Sequence, residues 1–133
     1  ADMHFMLQLE VVERLAANPG NKNWGRLGVM AQFQCDVEQL FEVPPEAFFP
    51  PPKVQSAIVR LIPKKTPRWA QVDRDALAKV VSQAFSQRRK TLRNNFKNRL
   101  TDMHFETAGI DPSARAETLT IDDFVALANI TDS

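Results

Sequence analysis

Two hydrophobic periods alternate along this chain. Residues 3–8, MHFMLQ, are a short apolar run of strand length and predict a buried strand. In the following LEVVERLAA, Leu9, Val12, Leu15 and Ala16 fall on one side of a helix. Glu10 and Arg14 lie i,i+4 on the other side, where they can pair. Asn18-Pro19-Gly20-Asn21 then supplies turn residues that stop the helix. WGRLGVMAQF, residues 24–33, has the pattern of a second helix, weakened by Gly28. DVEQLFEV, residues 36–43, reads as a strand closed by Pro44-Pro45. A further β-branched run spans residues 54–62. The short connection between these two strands predicts an antiparallel pair.

Residues 63–72, PKKTPRWAQV, have the proline and charge content of a linker, and the pattern after them is helical throughout. Asp73 is placed to cap a helix starting near Arg74. Its apolar stripe runs through Leu77, Val81, Phe85, Leu92, Phe96 and Leu100, with a bend or break near Ser86-Gln87. Thr101 or Asp102 opens a short helix that Gly109 ends. Asp111-Pro112 has the form of an N-cap followed by proline in a first turn. Thr120 caps a last helix, with Asp122 and Asp123 near its N-terminus, where the helix dipole favours acids. Ile121, Phe124, Val125 and Leu127 or Ala128 form its buried face. The domain division this implies is 1–62, an α/β part; 63–72, a linker; and 73–133, an all-α part.

The formal charge of +1 conceals a segregated distribution. Residues 1–47 carry seven acids and three bases, and residues 102–133 carry seven acids and one base. Residues 76–101 carry seven bases and no acid. Solvated helix faces mix signs, so a 26-residue stretch without one acid points to a polyanionic partner. On a continuous helix with Phe85 as origin, Lys90, Arg93 and Lys97 fall between about 80° and 140°, as one exposed stripe. Arg88 and Arg99 fall inside the apolar arc. Either the helix is irregular there, or their stems lie along apolar surface with the charged heads at its rim.

The chemistry excluded is broad. The single Cys35 rules out an internal disulfide framework and suits a reducing compartment. His4 and His104 are distant and offer no zinc spacing. Four glycines in all, with GRLG at the wrong spacing, make no phosphate or dinucleotide loop. No apolar run approaches the ~20 residues that span a bilayer. The chain opens on Ala1 and runs directly into a strand pattern, as expected of a chain cut inside a domain, whose sheet edge would then be open to aggregation.

The stretch 48-FFPPPKVQSAIVRL-61 is the most constrained locally. Consecutive prolines fix φ and push each preceding residue toward extended geometry, making a stiff lead-in that holds an aromatic side chain in place. This stretch, with AFSQRRKTLRNN about thirty residues later and then AGIDPSARAETLTIDDFVALAN, closely resembles the bacterial small-subunit (16S) ribosomal RNA adenine N6,N6-dimethyltransferases. MHFMLQLEVVERL and WGRLGVMAQFQCDVE fit the same family in the same order.

The resemblance implies the C-terminal strands of a Rossmann-like methyltransferase sheet followed by a small helical RNA-binding domain. It implies a cytoplasmic enzyme that transfers methyl groups from S-adenosylmethionine to two adjacent adenosines of small-subunit ribosomal RNA during ribosome assembly. By resemblance, the glycine-rich cofactor loop and catalytic motif lie upstream of Ala1, so this piece binds no cofactor alone. Phe48 is then the stacking platform for the flipped adenine. Pro50, Pro51 and Pro52 hold its loop, and Lys53 meets a phosphate. Arg88, Arg89, Lys90, Arg93 and Lys97 grip RNA backbone in the pre-ribosomal small subunit. Gln55 departs from the acid expected after PPPKV. The alternative reading is a non-catalytic RNA-binding or ribosome-binding module.

Overall fold

The computed structural model describes residues 2–47, 54–64, 69 and 72–132. The chain opens with strand β1 (Met3–Gln8), helix α1 (Leu9–Leu15), helix α2 (Arg26–Gln34) and strand β2 (Cys35–Val43). Strand β3 (Ser56–Pro63) follows. The rest is helical: α3 (Arg74–Ala84), α4 (Leu92–Asn95), α5 (Asp102–Ala108) and α6 (Ile121–Asp132). Short 3-10 turns occupy Pro45–Ala47 and Ala116–Thr118.

The strands form one sheet in the order β1-β3-β2. Both pairings are antiparallel, as expected for β2 and β3, with Phe5 opposite Val59 and Val37 opposite Leu61. A register shift between Gln39 and Phe41 bulges β2. Val12 of α1 closes over Ala57 and Val59 of the central strand, making a small core. Beyond it, Gln55 Nε2 donates to Glu42 Oε2 at 2.7 Å, so the residue that departs from the expected acid is paired with one.

The expectation that residues 3–8 form a buried strand fails in its burial. β1 is a strand, but Met3, Phe5 and Met6 are 39%, 44% and 50% exposed. It is an edge strand, and α1 covers the sheet mainly through Val12 on β3.

The larger core joins α2 to the helices. Trp24, Val29, Leu77, Leu92, Phe96, Phe105, Phe124 and Leu127 are all buried in one cluster. Each such side chain contributes about 1.5–3 kcal/mol relative to an exposed one. Phe96 and Phe105 meet edge to face at 6.0 Å. Trp69 stacks on Phe33 of α2 at 5.8 Å and donates through Nε1 to Asp122 of α6 at 2.6 Å.

Most helix ends follow their local residues. Asp73 Oδ1 accepts from the amides of Asp75 and Ala76. Thr101 and His104 form a reciprocal capping box, and Gly109 takes the left-handed conformation at φ 74°. Thr120 and Asp123 bond reciprocally at the start of α6. One expected start is absent: Asp111-Pro112 opens a turn and no helix. Asp111 Oδ1 accepts from both the amide and hydroxyl of Ser113, at 2.9 and 2.7 Å, an Asx turn that competes with helix initiation.

Candidate nucleic-acid interface

The basic segment is not one helix. α3 stops at Ala84, residues 85–90 run as successive turns, and α4 begins only after Thr91, whose hydroxyl caps it. The cause is a side chain eleven residues downstream of the break. Asn95 Nδ2 donates to the carbonyls of Ala84, at 2.9 Å, and Gln87, at 3.0 Å. A continuing helix would use those two acceptors for the amides of Arg88 and Thr91. Gln83 Nε2 returns a bond to Asn95 O at 3.0 Å and locks the arrangement.

The single stripe expected for Lys90, Arg93 and Lys97 is therefore broken up. Arg88, Arg89 and Lys90 lie on the turns, Arg93 on α4, and Lys97 on the turn after it. Arg93 makes a two-point pair with Asp102, Nε to Oδ1 at 3.0 Å and Nη2 to Oδ2 at 3.2 Å. Lys97 is exposed. Arg99 Nη1 donates to Gln83 Oε1 at 2.6 Å. Of the two readings for Arg88, the irregular one holds, and its guanidinium also lies 5.6 Å from the centre of the Phe85 ring.

Arg88, Arg89 and Lys90 converge on a cleft of about 540 Å³, whose other walls are Gln87 and Arg115. Arg115 is the one base between residues 102 and 133, and its place in this cleft was not read from the sequence. Long-range backbone pairing brings it there: the amides of Leu92 and Arg93 donate to the carbonyls of Ala114 and Pro112. Those bonds lay the 111–115 turn along the start of α4. A second cleft of about 440 Å³ has Arg14, Lys22, Arg26 and Arg88 among its walls. Arg88 is common to both, so the two clefts form one basic surface across the seam between the sheet side and the helical side. Arg14 is paired with Glu10 at 2.8 Å. Among the described residues no carboxylate lies within ion-pair distance of Lys22, Arg26, Arg89, Lys90 or Arg115. These uncompensated cations suit a phosphate backbone.

Phe48, Pro50, Pro51, Pro52 and Lys53, the expected adenine-stacking loop, lie outside the described residues. No group of histidine, cysteine, aspartate and glutamate side chains with metal-binding geometry occurs among the described residues.

A three-stranded antiparallel sheet, an abutting helical cluster and a basic seam between them make up an α/β part joined to helices. The chain belongs to the ribosomal RNA adenine dimethylase family, which matches residues 1–133. It is 59% identical to the ribosomal RNA small subunit methyltransferase A of Saccharophagus degradans over 97% of its length, covering 48% of that protein. The corresponding protein of Alcanivorax borkumensis is 54% identical over 98% of the chain, which covers 46% of it. The chain thus spans about half the length of the curated relatives it matches. Among solved structures, a dimethyladenosine transferase from Plasmodium falciparum superimposes with a TM-score of 0.78 at 28% identity, over 95% of this chain and 55% of that one. The 23S rRNA methyltransferase ErmE superimposes with a TM-score of 0.68 at 21% identity, over 99% and 55%, and shares the fold.

Proposed function

We propose that this chain is the RNA-gripping C-terminal part of an S-adenosylmethionine-dependent adenine dimethyltransferase that acts on small-subunit ribosomal RNA. Family membership supports the reaction class. The basic seam supports the division of labour, and it is the observation that carries the reading. Lys22 and Arg26 on one side, with Arg89, Lys90 and Arg115 on the other, track the RNA backbone and position the duplex or loop. Such contacts carry no base information, so the choice of target comes from RNA shape. The loop at Phe48 to Lys53 then receives the extruded adenine, with Phe48 as its stacking face.

We assign no cofactor-binding residue among the described residues of this chain. No methyl-transfer step is therefore assigned to these residues. No helix among the described residues is long and apolar enough to cross a membrane.

The test is binding of the polypeptide to a labelled RNA covering the 3′ end of small-subunit ribosomal RNA, across a salt series. The wild-type chain is expected to bind with a steep salt dependence. The triple variant Arg89→Gln, Lys90→Gln, Arg115→Gln should lower the slope of log K against log salt by about 2 to 3, from roughly 0.7–0.9 per lost phosphate contact. Equal affinity and slope for the two proteins would refute the seam as the RNA interface.

A further inference from the structure

Five cations were expected to act alike on RNA, but the geometry of Arg88 sets it apart. Its Nη2 donates to the carbonyl of Trp24 at 2.7 Å and also to the carbonyl of Lys22. The same nitrogen lies 3.7 Å from Glu117 Oε2. The guanidinium is held over the Phe85 ring, and a side chain carbon at Gly25 would lie 3.4 Å from its Nη1. Nη2 is thus engaged by the backbone of the 18–25 loop, while the stem is anchored at the end of α3. Two further bonds stitch the same loop to the helical side: Gly20 N to Glu117 O at 2.6 Å, and Trp24 Nε1 to Leu119 O at 2.8 Å.

We infer that Arg88 is a positioning residue, a strut that clamps the 18–25 loop to the helical side and so holds Lys22 and Arg26 in line with Arg89, Lys90 and Arg115. This inference rests on the seam being the RNA interface. A phosphate taken by Nη2 of Arg88 would compete with two backbone carbonyls and bring an anion toward Glu117. Among the described residues no carboxylate lies within ion-pair distance of Arg89, Lys90 or Arg115, so a phosphate there displaces no such partner. The length of arginine is what the role requires, since both bonds leave the terminal Nη2 and a lysine ammonium, on its shorter stem, stops short of that position across the seam.

Arg88→Lys separates the roles, because it keeps the charge and the aliphatic stem on Phe85. Two measurements are made on each variant: amide hydrogen exchange of residues 20–25 without RNA, and RNA affinity across the salt series. For the strut, Arg88→Lys and Arg88→Gln both speed exchange in this loop at least about tenfold and both weaken RNA binding by about tenfold. Arg89→Lys leaves loop exchange within about threefold of the wild-type rate. Glu117→Gln, which leaves the core untouched, shifts loop exchange in the same direction by less. The strut is overturned if Arg88→Lys leaves loop exchange at the wild-type rate. It is equally overturned if Arg88→Lys binds RNA like wild type while Arg88→Gln binds weakly with a salt slope lower by about 1, the signature of one lost phosphate contact. Wild-type protein that fails to bind RNA refutes the interface alone, and the exchange measurement still decides the strut.

Discussion

The indole nitrogen of Trp24 donates to the carbonyl of Leu119 at 2.8 Å across ninety-five residues of chain, inside the core. Trp24 is 1% exposed, and Leu119 packs in the same cluster. The bond ties the loop ahead of α2 to the turn ahead of α6, so α2 and the helical side share the larger hydrophobic core, beside the small core under the sheet.

Trp24→Phe keeps an aromatic ring but removes the donor. The Leu119 carbonyl then remains buried without its partner, at a cost of about 1–3 kcal/mol. Urea denaturation should show a lower midpoint with an unchanged slope. Far-ultraviolet circular dichroism and tryptophan fluorescence, from Trp69 alone in the variant and from Trp24 and Trp69 in the wild type, should report a single coincident transition in each protein. Separate transitions would show that the two sides do not unfold as one unit. An unchanged midpoint would show that the bond contributes nothing.

Gly28 carries a second prediction with a sign opposite to the usual one. Glycine within a helix is ordinarily improved by alanine, by about 1 kcal/mol. Here a side chain carbon would lie 2.7 Å from the backbone carbonyl oxygen of Arg14 and 3.3 Å from the Trp24 ring. The oxygen belongs to the last turn of α1 and cannot swing aside. α1 and α2 would have to separate, a strain of about 1–3 kcal/mol that outweighs the propensity gain. Gly28→Ala should therefore lower the melting temperature. A rise would mean that the helices part at little cost.

Gly28 also shows where the sequence is and is not legible. From sequence it weakens a helix; in the fold it permits one helix to approach another. Asp73, Thr101 and Thr120 were readable because N-capping is local, a side chain bonding amides two or three residues away, and Gly109 because glycine takes the left-handed conformation that ends a helix. The break at Ala84 was anticipated near Ser86, but its cause was not, because Asn95 acts from eleven residues beyond it. The same distance hid Arg115, which reaches Arg89 and Lys90 only through backbone pairing of the 111–115 turn with α4. The basic character of the seam was visible as a charge run. Its two-sided shape, with Lys22 and Arg26 opposite, needed the tertiary contacts of Arg88. β1 was placed correctly and its burial was not, since an apolar run reports strand type and is silent on which neighbours cover it.

The turn that carries Arg115 leads to a prediction about acid stability. Asp111 is held below its ordinary value of 3.8, first by the hydroxyl of Ser113, then by the Ser113 amide, with a smaller contribution from the Arg93 charge. A carboxylate depressed on folding stabilises the native state fully above its unfolded value. That stabilisation is lost as the pH falls through the lower folded value, where both states are protonated. Asp111→Asn retains an oxygen to accept both Ser113 bonds but removes the charge. The variant should melt below wild type at pH 7, and the gap should narrow as the pH falls through the ordinary carboxylate range and close once the folded-state carboxyl is also protonated. Thermal unfolding of the two proteins over that range measures it directly. A gap that stays constant with pH would assign the difference to geometry of the turn. No gap at pH 7 would show that the charge on Asp111 contributes nothing to holding the 111–115 turn, and with it Arg115, against α4.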